Sequence, residues 1–106
     1  MKKDMTHNEA ASTKSRDVLT EILRQGAQKM LATAIENEVV EYIAEHKNQR
    51  DACGYRLVVR NGQLPARTIH TGVGPVEVEQ PRVNDKRIDE NGQRIHFSSK
   101  ILPPYV

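Results

Sequence analysis

The chain has 106 residues, 37% of them apolar and 4% aromatic, with no tryptophan, one cysteine and a formal net charge of +2. A chain this short carries one domain, or one piece of a larger protein, around a thin core. The lone Cys53 excludes an internal disulfide and fits a reducing cytoplasm, no stretch approaches a membrane span, and no apolar h-region follows the Met-Lys-Lys start.

In chain order, residues 1–15 (MKKDMTHNEAASTKS) hold little to bury and are expected to form a disordered arm. From Ser15 to about His46 there is no proline and one glycine. Apolar residues recur there at Leu19, Ile22, Leu23, Ala27, Met30, Leu31, Ala34, Ile35, Tyr42 and Ile43. This i, i+3, i+4 recurrence predicts an amphipathic helical segment over 16–47. Ser15 is the expected N-cap, with Asp17 in the first turn and His46 and Lys47 at the end. Gly26 is a weak point, and a break near Asn37 would give a helix pair. No clean heptad persists, which disfavours a long coiled coil. The apolar stripe is either core or a partner surface, and Leu19, Leu23, Met30 and Leu31 are its candidate partner-binding residues.

Residues 48–54 read as a loop, and 55–98 as a small antiparallel β module. Tyr55 to Arg60 (YRLVVR) has strand composition. Asn61-Gly62 is a turn dipeptide of the hairpin type, and Pro65 limits pairing just after it. RTIHT (67–71) and VEVEQ (76–80) flank GVGP, which predicts a hairpin with a four-residue loop. That register sets Thr71 against Val76, Ile69 against Val78, His70 against Glu77 and Thr68 against Glu79, so apolar pairs share one face. Residues 81–87 (PRVNDKR) read as a basic loop, Asn91-Gly92 as a turn, and RIHFS (94–98) as a last strand. Residues 99–106 form an extended tail. The expected class is α+β: a helix or helix pair followed by a hairpin meander with a partly irregular C-terminus.

Catalytic chemistry finds little footing. His7, His46, Cys53, His70 and His96 are the soft metal ligands, but no pair has zinc-knuckle spacing. Nothing in the sequence sets a base beside Cys53. GVGP lies in a hairpin, so it is no dinucleotide fingerprint.

The charge is unevenly spread. Residues 16–46 carry three Lys or Arg against six Asp or Glu, whereas 47–106 carry ten against six. The basic half is the side a phosphate backbone prefers. Arg56, Arg60, Arg67, Arg82, Lys86, Arg87 and Arg94 lie in or beside the β module and are the candidate DNA-binding residues. Arginine's planar fork suits phosphate and guanine contacts. With few aromatics alongside, backbone-dominated duplex binding is the expected mode rather than single-strand stacking.

Three motifs stand in a fixed order: Arg60-Asn61-Gly62 after a strand, then ARTIHTGVGPVEVEQPRVND, then SSKILPPYV. This order, behind the helix, resembles the N-terminal part of Mutator-type transposases of bacterial insertion sequences, over roughly residues 16–106. The resemblance implies a DNA-cutting and strand-joining enzyme whose RNase H-like core holds three acidic residues and a divalent metal, Mg. None of the acidic residues here matches those positions, so the expected chain is an amino-terminal piece without the catalytic domain, inactive alone, with no cofactor of its own. The region resembled is associated with binding terminal repeats and with self-association. The implied partners are double-stranded DNA at insertion-sequence ends and a second copy or full-length transposase, in a bacterial, nucleoid-associated cytoplasmic setting. The alternative is a protein-interaction fragment that dimerises without touching DNA.

Overall fold

A computed structural model of the chain describes residues 2–103, with side chains from Thr13 onward. One helix, α1 (Lys2–Glu45), is followed by four strands: β1 (Val58–Gln63), β2 (Arg67–Thr71), β3 (Gly74–Val78) and β4 (Pro81–Asp85). The class is α+β.

The helical segment is a single helix of 44 residues rather than a pair. Ile35 and Val39 explain why. They stand one turn apart on either side of Asn37, both have 0% exposure, and both enter the core. A break at Asn37 would pull one of them out, at about 1.5–3 kcal/mol for a side chain of this size. Gly26 carries only the ordinary helical penalty of about 1 kcal/mol. The helix also starts earlier than expected, running through 2–14, where an arm was expected, and past the anticipated cap at Ser15. That segment holds neither proline nor glycine, and extending an existing helix needs no new nucleus. At its other end, His46 N and Lys47 N bond the carbonyls of Ile43 and Ala44, which tightens the last turn.

The strands form two separate antiparallel ladders, β1 with β4 and β2 with β3, so the β2–β3 hairpin is nested inside the outer pair. Three expectations are corrected here. Asn61-Gly62 does not reverse the chain but lies inside β1. Arg60 pairs with Val83 and Gln63 with Pro81, which leaves two residues opposite Arg82 alone, a β-bulge. Gly62 absorbs the extra residue at φ +72°. With Pro65 close behind, no strand follows to fold back on β1, and β4 takes its side instead. The segment 81–85 is therefore a strand and not a basic loop. Residues 94–98 form no strand. A single bridge between Ile88 and Arg94 closes the turn at Asn91-Gly92, and the chain then crosses to the helix, where Phe97 meets the Tyr42 ring at 4.8 Å.

The hairpin forms, with its register shifted by two residues. Ile69 faces Val76, Thr68 faces Glu77 and Thr71 faces Gly74. The loop is Gly72-Val73 alone, because Gly74 adopts φ +104° and Pro75 enters β3. The Thr71 hydroxyl binds the turn, donating to Gly74 O at 2.8 Å and accepting from Val73 N at 3.2 Å. A shift of two preserves the faces, so Val76 and Val78 are buried while Thr68, His70 and Glu77 remain outside.

Ile35, Val76, Val78 and Leu102 form the core, with Ala27, Leu31 and Ile69 packed on its margin. Gln28 Nε2 docks the hairpin by donating to Glu77 O at 2.9 Å. The hairpin tip lies against Arg24, whose guanidinium sits over Gly74. N-terminal to that point, Val18, Leu19, Ile22 and Leu23 are exposed among the described side chains. The tail closes the core as a strap. Glu38 accepts from the Ser99 hydroxyl at 2.6 Å and from Lys100 N at 2.7 Å. Leu102 is buried, and Arg67 Nη2 donates to Pro103 O at 2.6 Å. The end of the tail, at 104–106, lies outside the described residues.

Candidate nucleic-acid interface

Alternation along β4 divides its residues. Pro81, Val83 and Asp85 turn toward the helix. Arg82, Asn84 and Lys86 turn away from it, beside Val59 of β1 and Asn61 of the bulge. Arg82 and Lys86 are exposed and make no side-chain hydrogen bond or ion pair among the described residues. Four residues of strand set their Cα atoms about 13 Å apart. Arg94 joins them from the following segment. Its Nη2 donates to Asn84 Oδ1 and to Asp85 O, both at 3.0 Å. These partners are an amide and a carbonyl, so the full charge of Arg94 remains uncompensated. Arg56 is also exposed, before β1.

The other three candidate cations turn inward or are held. Arg60 pairs with Glu36 of the helix. Arg67 binds the strap. Arg87 is tied most firmly: its Nη2 lies 2.8 Å from Asp85 Oδ2 and 2.9 Å from the Tyr42 hydroxyl, its Nε 3.0 Å from Asp85 Oδ1, and its Nη1 3.4 Å from Gln49 Oε1. Asp85 is 3% exposed. Burial alone pushes its carboxyl up, but hydrogen bonds from Arg87 and Tyr42 outweigh that and hold its pKa at about 2. The Tyr42 phenol is pushed up, first by burial and then by the carboxylate it faces. Asp85 draws the guanidinium of Arg87 higher still.

Sequence reasoning counted Tyr42 only within the apolar stripe, and it did not single out Glu38 or the inward role of Asp85. For Asp85 the signal was present: Pro81, Val83 and Asp85 alternate with Arg82, Asn84 and Lys86 at period two, which marks a strand with one inward carboxylate.

Between β4 and residues 94–97 runs a cleft of about 500 Å³, whose lining includes Asn61, Arg82, Asn84, Arg94, His96 and Phe97. It is a cationic recess, lined by Arg82 and Arg94. The recesses at Gln28, Glu36, Glu77 and Glu79, and at Glu38, Glu41 and Glu45, are acidic.

The candidate partner-binding residues also divide. Leu31 packs on the core. Leu19, Leu23 and Met30 are exposed at 55%, 49% and 71%, with Ile22 beside them at 58%. Among the described residues no group of three or more His, Cys, Asp or Glu could hold a metal ion. His46 is bound to Tyr42 O at 2.7 Å, Cys53 is exposed, and the His7 side chain lies outside the described residues. No described helix is long and apolar enough to cross a membrane.

No protein-family model matches the chain, and no match was found among curated proteins or among solved structures.

Proposed function

We propose that this chain is a DNA-binding and assembly segment of a Mutator-type transposase, acting at the ends of an insertion sequence. The order of its three motifs supports the family. The observation that carries the DNA contact is the outward face of β4, where Arg82, Lys86 and Arg94 lie together with no carboxylate partner among the described residues. Such a face gains free energy by displacing condensed counterions from a duplex. The divalent metal and the cutting chemistry belong to a catalytic domain of the family resembled, and none of the carboxylates described here is assigned to it.

A second reading draws on a different observation. Leu19, Ile22, Leu23 and Met30 leave an apolar stripe on a helix that overhangs the module. In this reading the chain is a dimerisation or partner-binding fragment, and its cations only solvate the surface.

A salt titration tests the first reading. With three or four phosphate contacts, log affinity for a duplex should fall against log salt with a slope of about −3 to −4. A chain that self-associates at every salt concentration and holds no duplex at low salt belongs to the second.

A further inference from the structure

We propose that the cleft between β4 and residues 94–97 is a preformed seat for one phosphate ester group, held by Arg82 and Arg94 with Asn84 and His96 beside them. The DNA-binding reading supplies its expected ligand, a phosphodiester of the nucleic-acid backbone. The chemistry of the seat stands on the cleft itself.

Size comes first. About 500 Å³ lies within the range of small-molecule sites and accommodates a phosphate with its sugar and base. Charge comes second. Two guanidinium groups line the cleft without a carboxylate partner among the described residues. The one carboxylate in its lining, Asp85, is already engaged: Oδ1 accepts from Arg87 N and Nε, and Oδ2 accepts from Tyr42 and Arg87 Nη2. It therefore offers an incoming anion little repulsion.

Preorganisation is the third element. The bonds from Arg94 to Asn84 Oδ1 and Asp85 O fix the guanidinium before any ligand arrives. A fork held in place loses less freedom on binding. Because the Asn84 oxygen is taken by Arg94, its amide nitrogen is left to donate. His96 adds an N–H donor in either tautomer. Phe97, positioned by its contact with Tyr42, gives the cleft an apolar wall suited to a sugar or base face. The acidic recesses elsewhere on the molecule would repel the same ligand.

The test titrates the isotopically labelled full chain with inorganic phosphate, with a 5′-phosphorylated dinucleotide and with a short duplex, following side-chain and backbone resonances. Saturable shifts at Asn84, Arg94 and His96 are expected with all three. Arg82→Gln and Arg94→Gln should each weaken phosphate binding roughly tenfold, the loss of one charge-assisted bond. Each should also flatten the salt dependence of duplex binding by about one unit of slope. Lys29→Gln and Lys47→Gln, exposed on the helix and just past its end, should leave phosphate binding as it was. Arg82 makes no hydrogen bond or ion pair among the described residues, so its variant keeps the test valid if Arg94→Gln loosens the fold. Should phosphate and dinucleotide fill the cleft while no duplex binds, the seat stands as a nucleotide site and the DNA-binding reading falls. Should the duplex bind while the cleft resonances stay unmoved by every probe, the seat is overturned and the DNA-binding reading survives.

Discussion

The Tyr42 hydroxyl donates a 2.5 Å hydrogen bond to Asp85 Oδ2 across 43 positions of sequence. Together with Arg87 this bond fastens β4 to the helix on one side, and so leaves Arg82, Asn84 and Lys86 on the other. Removing the carboxylate while Arg87 remains leaves a charge without its buried partner, which typically costs about 3–5 kcal/mol. Asp85→Ala should therefore unfold at much lower urea, and Tyr42→Phe should lose about 1.5–3 kcal/mol, as for a hydrogen bond to a charged group. Equal midpoints for Asp85→Ala and the parent would show that the contact contributes nothing.

The same carboxyl predicts an acid limb. Its pKa is about 2 in the fold against 3.8 unperturbed, so the unfolded chain takes up the proton first. The stabilisation, on the order of 2 kcal/mol, is present above about pH 4 and lost as pH falls toward 2. Tyr42 has the opposite sign: its raised pKa makes stability fall as pH climbs past 10. Unfolding free energy measured against pH should show both limbs. Asp85→Asn should flatten the acid one, and an unchanged acid slope in that variant would refute the assignment.

The hairpin tip offers a paired test of backbone geometry. Gly74 holds φ +104°, and a Cβ there would lie 3.0 Å from Arg24 Nη2. Gly72 has ordinary φ and open space around it. Gly74→Ala should cost at least about 1 kcal/mol, whereas Gly72→Ala should be neutral or slightly stabilising. Thermal melts of the two variants decide it, and equal melting temperatures would contradict the turn described.

On the helix, Leu31→Asp should destabilise the chain, since Leu31 packs beside Ile35, Val76 and Val78. Leu23→Asp, on the exposed overhang, should leave the melt unchanged within about 0.5 kcal/mol. If sedimentation shows the parent to self-associate and Leu23→Asp to be monomeric, the stripe is a partner surface. Self-association untouched by that variant would remove the stripe from consideration.

Much of this architecture was legible in sequence, for identifiable reasons. The helix announced itself through the spacing of Leu31, Ile35 and their neighbours, and hairpin faces follow from parity alone. What failed depended on longer range. Asn61-Gly62 has the local chemistry of a reversal, but a turn needs a returning strand, and Pro65 denies one. Residues 81–85 looked polar because one face of β4 is polar, and the partner residues that make it a strand lie 18 to 27 positions upstream. Of the seven cations, charge alone could not separate Arg87, sunk against Asp85, from Arg82, which is exposed and holds no ion pair among the described residues. That distinction rests on the order in which β4 alternates, and it appears only once the strand is recognised.

The strap has a kinetic consequence. Glu38 receives Ser99 and Lys100 from 61 and 62 positions away, and Leu102 seals a core begun at Ile35. Helix and hairpin are local and can form in microseconds, but the seal must wait for a long loop to close. During synthesis the hairpin can already cover part of Ile35 through Val76 and Val78, but the core stays unsealed until residue 102 has left the ribosome, at about 5–20 residues per second. For those few seconds the nascent chain exposes more of its apolar helix face than the finished fold does, the form in which a neighbouring nascent copy would meet it.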